Sequence, residues 1–488
     1  MKRLNSILLI FIIALFASQC FAQSSSPSAK EEANKSRQYM ELINGVFDFV
    51  QKNYVDEVDP QVLYEGALKG MLEAFKDPYT VYLDKSSFRN LNDTTSGSFG
   101  GVGLQISKPI ETSPEKPAFV EVASPVEDTP GFKAGILAGD LIISINGTDT
   151  STITMEQVLD MLRGKVGESV DLVIRRGKNM EFPVTLVRAI IEVPTVKYGM
   201  IEGTSIGYVR LIEFTPQTVE RTQEALDSFK EKNATSLIID LRNNPGGLIT
   251  SAYEIADKFI DNGPIVSTKS RLSFENTVFT AIAKKTTVRN MPIVVLINKG
   301  SASASEIVSG ALKDNHLAYL VGQRTYGKGS VQQVLPLSST DGIKITMARY
   351  YTPSDVNIDK IGIPPDREVL FPVLSETGEK QYLELYKSTE ISDFVDGRSE
   401  LTEKQISDFA KTLKKKYTEI DEASLRKLVR NEVNKTKGAI LYDLDYDIQL
   451  NEAISILQKE NFTELIKNTK TLKELQDLEI LKEEKEKK

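Results

Sequence analysis

The sequence predicts a multidomain protein built around a layered α/β core. Its 488 residues exceed the roughly 100 to 200 residues of an ordinary domain, so we expect about three domains. From about residue 186, apolar strand-like runs alternate with helical segments, which favours a sheet covered by helices. A compact block of short strand-like runs precedes this core, and amphipathic helical segments lie at both ends of the chain.

The composition indicates a globular protein. Hydrophobic residues make up 40% of the chain and charged residues 26%, which is enough apolar material for packed cores. A formal net charge of −8 at pH 7 argues against a basic surface for nucleic acids or anionic membranes. We therefore expect no nucleic-acid partner.

The N-terminal residues are typical of a secretory signal peptide. The basic start Met1-Lys2-Arg3 is followed by the apolar run from Ile7 to Ala17 and then by Cys20-Phe21-Ala22. We expect residues 1–22 to be removed after Ala22 and the protein to be exported, to a periplasm or out of the cell. The alternative is an uncleaved membrane anchor, although the apolar run is shorter than the roughly 20 residues that span a bilayer.

Cys20 is the one cysteine of the chain, and it raises a second alternative, a lipid attached at this position. Gln19 fits that alternative poorly, because such sites carry a small residue before the cysteine. After cleavage at Ala22 the mature chain has no cysteine, so it uses neither disulfides nor thiol chemistry.

Two helices are predicted in an N-terminal region over residues 23–95. Residues 24–36 are rich in Ser, Lys and Glu and are interpreted as a solvated linker. Apolar residues then follow a helical period at Leu42, Val46, Phe49 and Val50, and a second helix is expected from Leu63 to Phe75.

A second domain is predicted over residues 96–182. The stretch from Thr94 to Gly101 is rich in Gly, Ser and Thr and marks its beginning. One helix is expected inside it, from Met155 to Leu162. The expected strands are Val102 to Ile106, Ala118 to Val122, Leu141 to Ile145 and Val170 to Ile174.

The α/β core is expected over residues 183–373 and a helical C-terminal region over residues 374–488. The core strands are predicted at Ile206 to Leu211, Ser236 to Leu241, Ile293 to Ile297, Ala318 to Val321 and Ile343 to Tyr350. In the C-terminal region a helical face is predicted from Ile406, Phe409, Ala410, Leu413 and Tyr417. The final Lys/Glu run is interpreted as a solvated tail.

The single histidine narrows the chemistry that the chain can perform. A Ser-His-Asp triad would have to use His316, whose polar neighbours Lys313, Asp314 and Asn315 indicate a surface position. The sequence has no cluster of metal-ligating residues, so we expect no metal and no cofactor. Covalent catalysis would therefore recruit Lys, Asp, Glu or Tyr as its base.

A serine-rich turn is the first candidate for that chemistry. Residues 298–306 follow a predicted buried strand and lead into a helix, which places Ser303 near the N-terminus of that helix. Backbone N–H groups at such an end stabilise developing negative charge. The alternative, for this segment alone, is an ordinary serine-rich helix cap.

Two further segments complete the candidate site. Lys328 lies between Gly327 and Gly329, which allow the backbone to approach another segment closely. A lysine acts as a base near neutral pH only if burial lowers its pKa, and most lysines are simply solvated. Upstream, an apolar strand runs into a Pro-Gly-Gly turn at 245–247, where the amides could donate to an oxyanion; alone, this is equally well an ordinary turn.

Together the three segments resemble the C-terminal-processing peptidases, or tail-specific proteases. The motifs are D-L-R-N-N-P-G-G at 240–247, G-S-A-S-A-S-E at 300–306 and Y-G-K-G-S-V-Q at 326–332. Weaker similarities are D-P-Y-T at 77–80 and A-R-Y-Y-T-P-S at 348–354. The resemblance covers about residues 40–370, and it implies a layered core of the crotonase or Clp-protease type.

The resemblance also implies roles for individual residues. Ser303 would be the nucleophile, Lys328 the general base and Gln332 the group that orients the lysine. An oxyanion hole would come from the amides of Ala304 and of the Gly246-Gly247 turn, with the choice between the glycines open. Asp355 departs from the family, whose members commonly have glycine there, and this puts the local loop in doubt.

The block at 96–182 resembles a PDZ domain. The run Gly101-Val102-Gly103-Leu104 is similar to the PDZ carboxylate-binding loop, and A-G-I-L-A-G-D at 134–140 with I-N-G at 145–147 is similar to a later PDZ signature. This resemblance implies recognition of substrate C-terminal tails by Gly101, Val102, Gly103 and Leu104. It also suggests Arg163, at the end of the PDZ helix, as a residue coupling the PDZ domain to the core.

The sequence thus predicts an exported serine endopeptidase. Its expected partners are protein or peptide substrates with free, apolar C-termini, a second copy bound through the helical termini, and an activating adaptor. Two alternatives are non-catalytic: a lipid-binding or ligand-binding protein on the same core, and a PDZ scaffold with an inactive core. The presence of both Ser303 and Lys328 argues against them.

Overall fold

The computed structural model describes residues 27–108, 118–126, 128–177, 180–192, 194–372, 374–398, 401–434 and 441–486. The chain divides into two compact units, residues 1–82 and residues 83–488. The expected signal peptide, with Cys20 and the cleavage position after Ala22, lies outside the described residues. Within those ranges no helix is long and apolar enough to cross a membrane.

The first unit contains two helices, α1 (Pro27–Asn53) and α2 (Pro60–Glu73). Helix α1 begins inside the segment interpreted as a linker, because its Ala, Lys and Glu residues favour helix and a proline is well suited to the first position. Helix α2 is capped by the preceding Asp59, whose side chain accepts the Gln61 N–H at 2.9 Å.

The strand-rich block follows β1 (Val81–Leu83) and α3 (Lys85–Ser96). A two-stranded antiparallel sheet pairs β2 (Ser98–Gly101) with β9 (Ala189–Glu192). The other six strands form one sheet in the order β3-β4-β5-β7-β8, with β6 paired to β5. They are β3 (Leu104–Ser107), β4 (Val120–Pro125), β5 (Leu141–Ile145), β6 (Thr148–Asp149), β7 (Ser169–Arg176) and β8 (Met180–Val187).

This sheet has its own hydrophobic core. Alternate residues Val170, Leu172 and Ile174 of β7 point inward, as expected for a strand with one buried face. The short helix α4 (Pro130–Lys133) and α5 (Met155–Leu162) belong to the same block. The predicted bounds of β5 and α5 are confirmed to the residue.

The α/β core is a six-stranded sheet in the order β10-β11-β12-β15-β16-β19. Strand β10 runs antiparallel to β11, whereas the remaining neighbours pair in parallel. The strands are β10 (Val196–Met200), β11 (Ile206–Leu211), β12 (Ser236–Asp240), β15 (Ile293–Ile297), β16 (Tyr319–Gly322) and β19 (Arg367–Glu368).

Both faces of this sheet are covered by helices, which explains its continuous apolar strands. One face, with Leu237 and Ile239, packs against α6 (Pro216–Glu231), α7 (Ile249–Ala256) and α8 (Ala304–Asp314). The other face, with Ile238, packs against α13 (Ile448–Lys459). The predicted layered α/β core is therefore confirmed.

A second sheet lies beside the core. It contains β13 (Pro264–Ser270), β14 (Thr277–Thr280), β17 (Ser330–Pro336) and β18 (Gly342–Tyr351), with a short 3-10 helix at Ser273–Glu275. Strand β18 pairs with both β13 and β17. The predicted strand from Ile343 to Tyr350 thus belongs to this sheet and not to the parallel one.

The C-terminal region is helical, as predicted. Four helices share a small core that includes Ile406, Ala410, Leu413 and Tyr417 from the predicted helical face. They are α9 (Glu376–Lys387), α10 (Glu390–Val395), α11 (Glu403–Lys416) and α12 (Glu422–Asn434). After α13 the chain continues through α14 (Phe462–Lys467) and α15 (Leu472–Glu486), so the predicted solvated tail is helical in its described part.

Candidate active site

The parallel sheet brings the three motif segments together. Strands β12, β15 and β16 are adjacent, and each is followed by one of the segments: 240–247, 298–306 and 323–332. Loops at the carboxyl ends of neighbouring parallel strands meet at one edge of a sheet, where α/β proteins commonly bind ligands. Strand order therefore places the candidate residues side by side.

Ser303 occupies a strained turn immediately before α8. Its backbone has φ 55° and ψ −113°, a conformation that non-glycine residues rarely adopt and that is common at functional sites. The turn is anchored by Ser301, which is fully buried and donates its hydroxyl to the Leu241 carbonyl at 2.8 Å. Ser303 is thus fixed at the N-terminus of a buried helix, where developing negative charge is stabilised.

Lys328 lies in the loop between β16 and β17 and is half-buried. The Tyr326 N–H donates to the Ser301 carbonyl at 3.0 Å, so this loop contacts the serine turn. A side chain at Gly329 would come within 2.6 Å of the Asp359 nitrogen, which explains the need for glycine. Burial lowers the pKa of Lys328, the charge of Lys344 lowers it further, and Glu306 opposes both effects.

Glu306 joins the two loops, and sequence reasoning missed it. One carboxylate oxygen accepts the N–H groups of Ser303 at 2.8 Å and Lys328 at 2.9 Å. The other accepts the Gly327 N–H at 2.7 Å and the Thr325 hydroxyl at 2.5 Å. Burial raises the pKa of Glu306, and these four hydrogen bonds partly offset that rise. A Glu three residues after a Ser at a helix start is a capping-box signal that could have identified it.

Tyr350 is a second link that the sequence did not reveal. Its ring is buried, and its hydroxyl lies 3.3 Å from the Ser303 carbonyl and is also hydrogen-bonded to the Lys328 carbonyl. The main chain on both sides of the candidate pair is therefore held by buried polar groups.

The Pro-Gly-Gly turn lies directly against Ser303. A side-chain carbon at Gly246, whose φ is 108°, would lie 2.8 Å from Ser303 Cβ. The Gly246 N–H donates to Asn244 Oδ1 at 2.9 Å. Within the described ranges, no hydrogen-bond partner is found for the N–H of Gly247 or of Ala304. Of the three amides predicted for the oxyanion hole, these two are therefore available within the described part of the chain, whereas that of Gly246 is not.

Gln332 lies on β17, and its amide nitrogen donates to Ser330 Oγ at 2.9 Å. The register of the β17–β18 ladder shifts between Val331 and Gln332, so it is this hydrogen bond that shows the two side chains to lie together. Lys328 lies in the same chain segment, two residues before β17 begins. Orientation of the lysine by Gln332 remains a prediction.

His316 is distant from this site. It follows the C-terminal end of α8, whereas Ser303 precedes the N-terminal end, and eleven helical residues span about 16 Å. The imidazole is exposed, and its Nδ1 lies 2.8 Å from Thr469 Oγ1. The expected surface position is confirmed.

The glycine-rich loop 101–104 joins β2 and β3. The carbonyls of Val102 and Gly103 accept N–H groups from Gly131 and Val126, both at 2.8 Å. Within the described ranges, the N–H groups of Val102 and Gly103 have no hydrogen-bond partner. Strand β3, which includes Leu104, is the edge strand of its sheet among the described residues, so the loop lies next to a strand edge.

Arg163 lies at the end of α5, and its side chain contacts α3 and Phe99 of β2. It donates to Asp93 at 2.7 Å and to Asn90 at 2.9 Å on α3, and its guanidinium lies 4.7 Å from the Phe99 ring centre.

Asp355 adopts a φ of 62°, so the local loop keeps a conformation that glycine would take readily.

Comparison with known proteins identifies relatives for each part of the chain. The profile of peptidase family S41 matches residues 205–369, a PDZ domain profile matches residues 121–176, and the profile named activating protease CtpB N-terminal domain matches residues 9–87. The first two matches fall within the ranges expected for the α/β core and the preceding block.

Whole-chain comparison gives a consistent result. A carboxy-terminal-processing protease of Bartonella bacilliformis is 35% identical over 93% of this chain and 96% of the relative. The carboxy-terminal processing protease CtpB of Bacillus subtilis is 33% identical over 75% of each chain. A carboxyl-terminal-processing protease of Synechocystis is 37% identical over 63% of this chain and 71% of the relative.

Proposed function

This chain belongs to the carboxy-terminal-processing proteases of peptidase family S41, and we propose that it cleaves exported proteins near their C-termini by a serine–lysine mechanism. Neutral Lys328 takes the Ser303 hydroxyl proton as Oγ attacks the scissile carbonyl carbon. The resulting ammonium protonates the leaving amine, leaving an acyl-enzyme. Water, deprotonated by the same lysine, then hydrolyses the ester.

The observation that carries this proposal is the shared anchoring of Ser303 and Lys328. One oxygen of Glu306 binds both backbone nitrogens, and the Tyr350 hydroxyl contacts both carbonyls. A nucleophile and a base must keep a constant separation to exchange a proton. Half-burial and the nearby Lys344 charge favour the neutral lysine that a base requires.

The oxyanion hole is assigned to the N–H groups of Gly247 and Ala304. Neither has a hydrogen-bond partner among the residues that the structure describes, whereas the Gly246 amide is already bound by Asn244. Gly246 has a different role. Because it lacks a side chain, the turn can pass close to Ser303. Two amides aimed at the developing negative charge supply stabilisation that increases in the transition state.

The PDZ domain is proposed to bind the substrate's C-terminal tail. The amides of Val102 and Gly103, which have no partner within the described part of the chain, would hold the terminal carboxylate, and the tail would pair with the outer edge of β3. An apolar last side chain suits the adjoining partly buried Leu104. The pairing of Arg163 with Asp93 would couple this domain to the rest of the second unit.

Export and self-association complete the proposal. The pattern of residues 1–22 supports export. Helix α1 carries an apolar stripe whose members Leu42, Val46 and Phe49 are 65%, 62% and 67% exposed. Such a stripe suits a second copy of the chain or an adaptor as partner.

The test combines labelling with cleavage. Purified protein is treated with a fluorophosphonate, which reacts with activated serines, and incubated with an unstructured polypeptide whose products are mapped by mass. We expect Ser303→Ala and Lys328→Ala to lose labelling and cleavage with an unchanged circular dichroism spectrum, and His316→Ala to retain both. A protein that is neither labelled nor able to cleave the polypeptide would favour the scaffold alternative, and an active Lys328→Ala variant with an inactive His316→Ala variant would refute the assigned base.

A further inference from the structure

The turn that carries Gly247 is also held from the C-terminal region of the chain. Arg242 lies in this turn, two residues after the end of β12. Its Nη1 and Nη2 donate to Asp447 Oδ1 and Oδ2 at 2.7 and 2.6 Å. The same guanidinium donates to Asp240 at 2.9 and 2.6 Å, so it is hydrogen-bonded to a carboxylate on each of two sides. Such bidentate pairs fix orientation as well as position.

The network is largely removed from water. The side chains of Asp240, Arg242 and Asp447 are 1%, 11% and 18% exposed. Burial lowers the pKa of Arg242, but Asp240 and Asp447 outweigh that effect and raise it, so the guanidinium stays charged. Breaking one side of a buried pair leaves a charge poorly compensated, which is costly.

Asp447 belongs to a segment that docks on the α/β core. It caps α13, accepting the Leu450 N–H at 3.0 Å, and α13 covers one face of the parallel sheet. Next to it, Gln449 is fully buried, accepts from Arg242 at 3.1 Å and donates to the Val369 carbonyl at 2.8 Å. The position of Asp447 thus depends on how this segment packs.

The main chain that connects Arg242 to Gly247 is itself held by hydrogen bonds. The Arg242 N–H is fixed by Asp240 Oδ1 at 2.9 Å, and the Asn243 N–H by Asn298 Oδ1 at 2.9 Å. Asn298 also accepts the Gly300 N–H at 2.9 Å, which ties this turn to the serine turn. Gly247 follows five residues after Arg242.

We propose that Asp447 is a positioning residue for peptide hydrolysis, which acts through Arg242 to hold the Gly247 amide at the oxyanion. Full activity then requires a docked C-terminal segment. This inference rests on the proposed roles of Ser303 and Gly247.

The test compares two variants of the same docked segment. Asp447→Asn keeps the helix cap but removes the charge that holds Arg242. Glu460→Gln is the matched control, because Glu460 anchors the segment through Arg367, at 3.0 Å, without contacting the turn. We expect Asp447→Asn to slow fluorophosphonate labelling and lower kcat by about tenfold to a hundredfold, since small displacements of reacting groups have that effect. KM should change little, and Asp447→Glu should recover part of the loss.

The control should stay within about twofold of wild type in labelling and kcat, because a partly exposed pair contributes little. Equal losses in both variants would show a general docking effect and overturn the assignment to Asp447. So would a folded Asp447→Asn variant that reacts like wild type. If Asp447→Asn fails to fold, Arg242→Lys serves instead, since lysine cannot hold both carboxylates bidentately, and wild-type labelling of that variant would overturn the proposal. Absence of labelling in the wild-type protein itself would instead refute the proposed function.

Discussion

The carboxylate of Glu306 accepts the backbone N–H of Lys328 at 2.9 Å, through the oxygen that also binds the Ser303 N–H. Both oxygens of this buried carboxylate already accept hydrogen bonds. A side chain that donated a hydrogen bond from the same position would therefore face other donors and find no acceptor. In Glu306→Gln, the amide nitrogen would face two N–H or O–H donors whichever way it turned. The main chain of Lys328, of Ser303 or of Gly327 would then have to move.

We therefore predict that Glu306→Gln lowers kcat/KM by about a hundredfold, the scale expected for a displacement near 1 Å. Steady-state kinetics on an unstructured substrate would measure the loss, and thermal unfolding would report on the fold. The matched control is Glu224→Gln, because Glu224 is an exposed acid on α6 that pairs only with Arg221 among the described residues. A Glu306→Gln enzyme as active as this control would contradict the linking role.

The second prediction concerns pH and Lys344. Lys344 lies opposite Val334 on the β17–β18 ladder, two residues from Thr346, the cross-strand partner of Gln332. The charged groups that act on Lys328 are Lys344, which lowers its pKa together with burial, and Glu306, which raises it. Because the base must be neutral, kcat/KM should rise with pH as Lys328 loses its proton.

Removing the Lys344 charge makes the Lys328 ammonium more stable and raises the pKa of Lys328. We expect Lys344→Met to shift the acid limb of the kcat/KM profile to higher pH, so that activity at neutral pH falls while the alkaline plateau is kept. Lys344→Arg keeps the charge and should leave the limb in place. A limb that moves to lower pH in Lys344→Met, or moves equally in both variants, would argue against this electrostatic effect.

The third prediction tests the close approach of the Pro-Gly-Gly turn to the nucleophile. In Gly246→Ala the new methyl would lie 2.8 Å from Ser303 Cβ and from the Ala302 carbonyl oxygen. We expect kcat to fall by at least about a hundredfold, as when an oxyanion donor is lost. Gly203→Ala is the control, since Gly203 also has a positive φ, of 70°, but open space around it. Alanine is strained at both positions, because both have a positive φ. A similar kcat in the two variants would therefore show that the contact with Ser303 is unimportant.

The fourth prediction concerns the substrate tail. One unstructured substrate is prepared with a free apolar C-terminus, with the same terminus amidated, and with a terminal Asp. We expect the first to be cleaved fastest, because the amides of Val102 and Gly103, which have no partner among the described residues, would hold a carboxylate, and the adjoining Leu104 would disfavour a charged last side chain. Initial cleavage rates of the three substrates are measured at equal, subsaturating concentrations. Equal rates for all three would exclude tail recognition by this loop.

Much of the fold can be predicted from the sequence because local patterns report burial. The strands Ile206–Leu211 and Ile293–Ile297 match their predicted bounds, since runs buried on both faces are continuously apolar. The start of α1 was missed, because a polar helix and a solvated linker have similar compositions. The strand around Tyr350 was assigned to the wrong sheet, since strand pairing depends on distant partners.

By itself, the sequence determined which short segments are the candidates for the chemistry: a small-residue turn with Ser303, a glycine-flanked Lys328 and a Pro-Gly-Gly turn. These are local features, since each depends on the conformations that a few adjacent residues allow. Only the tertiary structure decided which amides remain unpaired and which acid joins the two loops, because parallel pairing of β12, β15 and β16 brings those segments together. The contact of Arg242 with Asp447 spans 205 residues, and no local pattern encodes it, because it exists only once α13 has packed on the sheet.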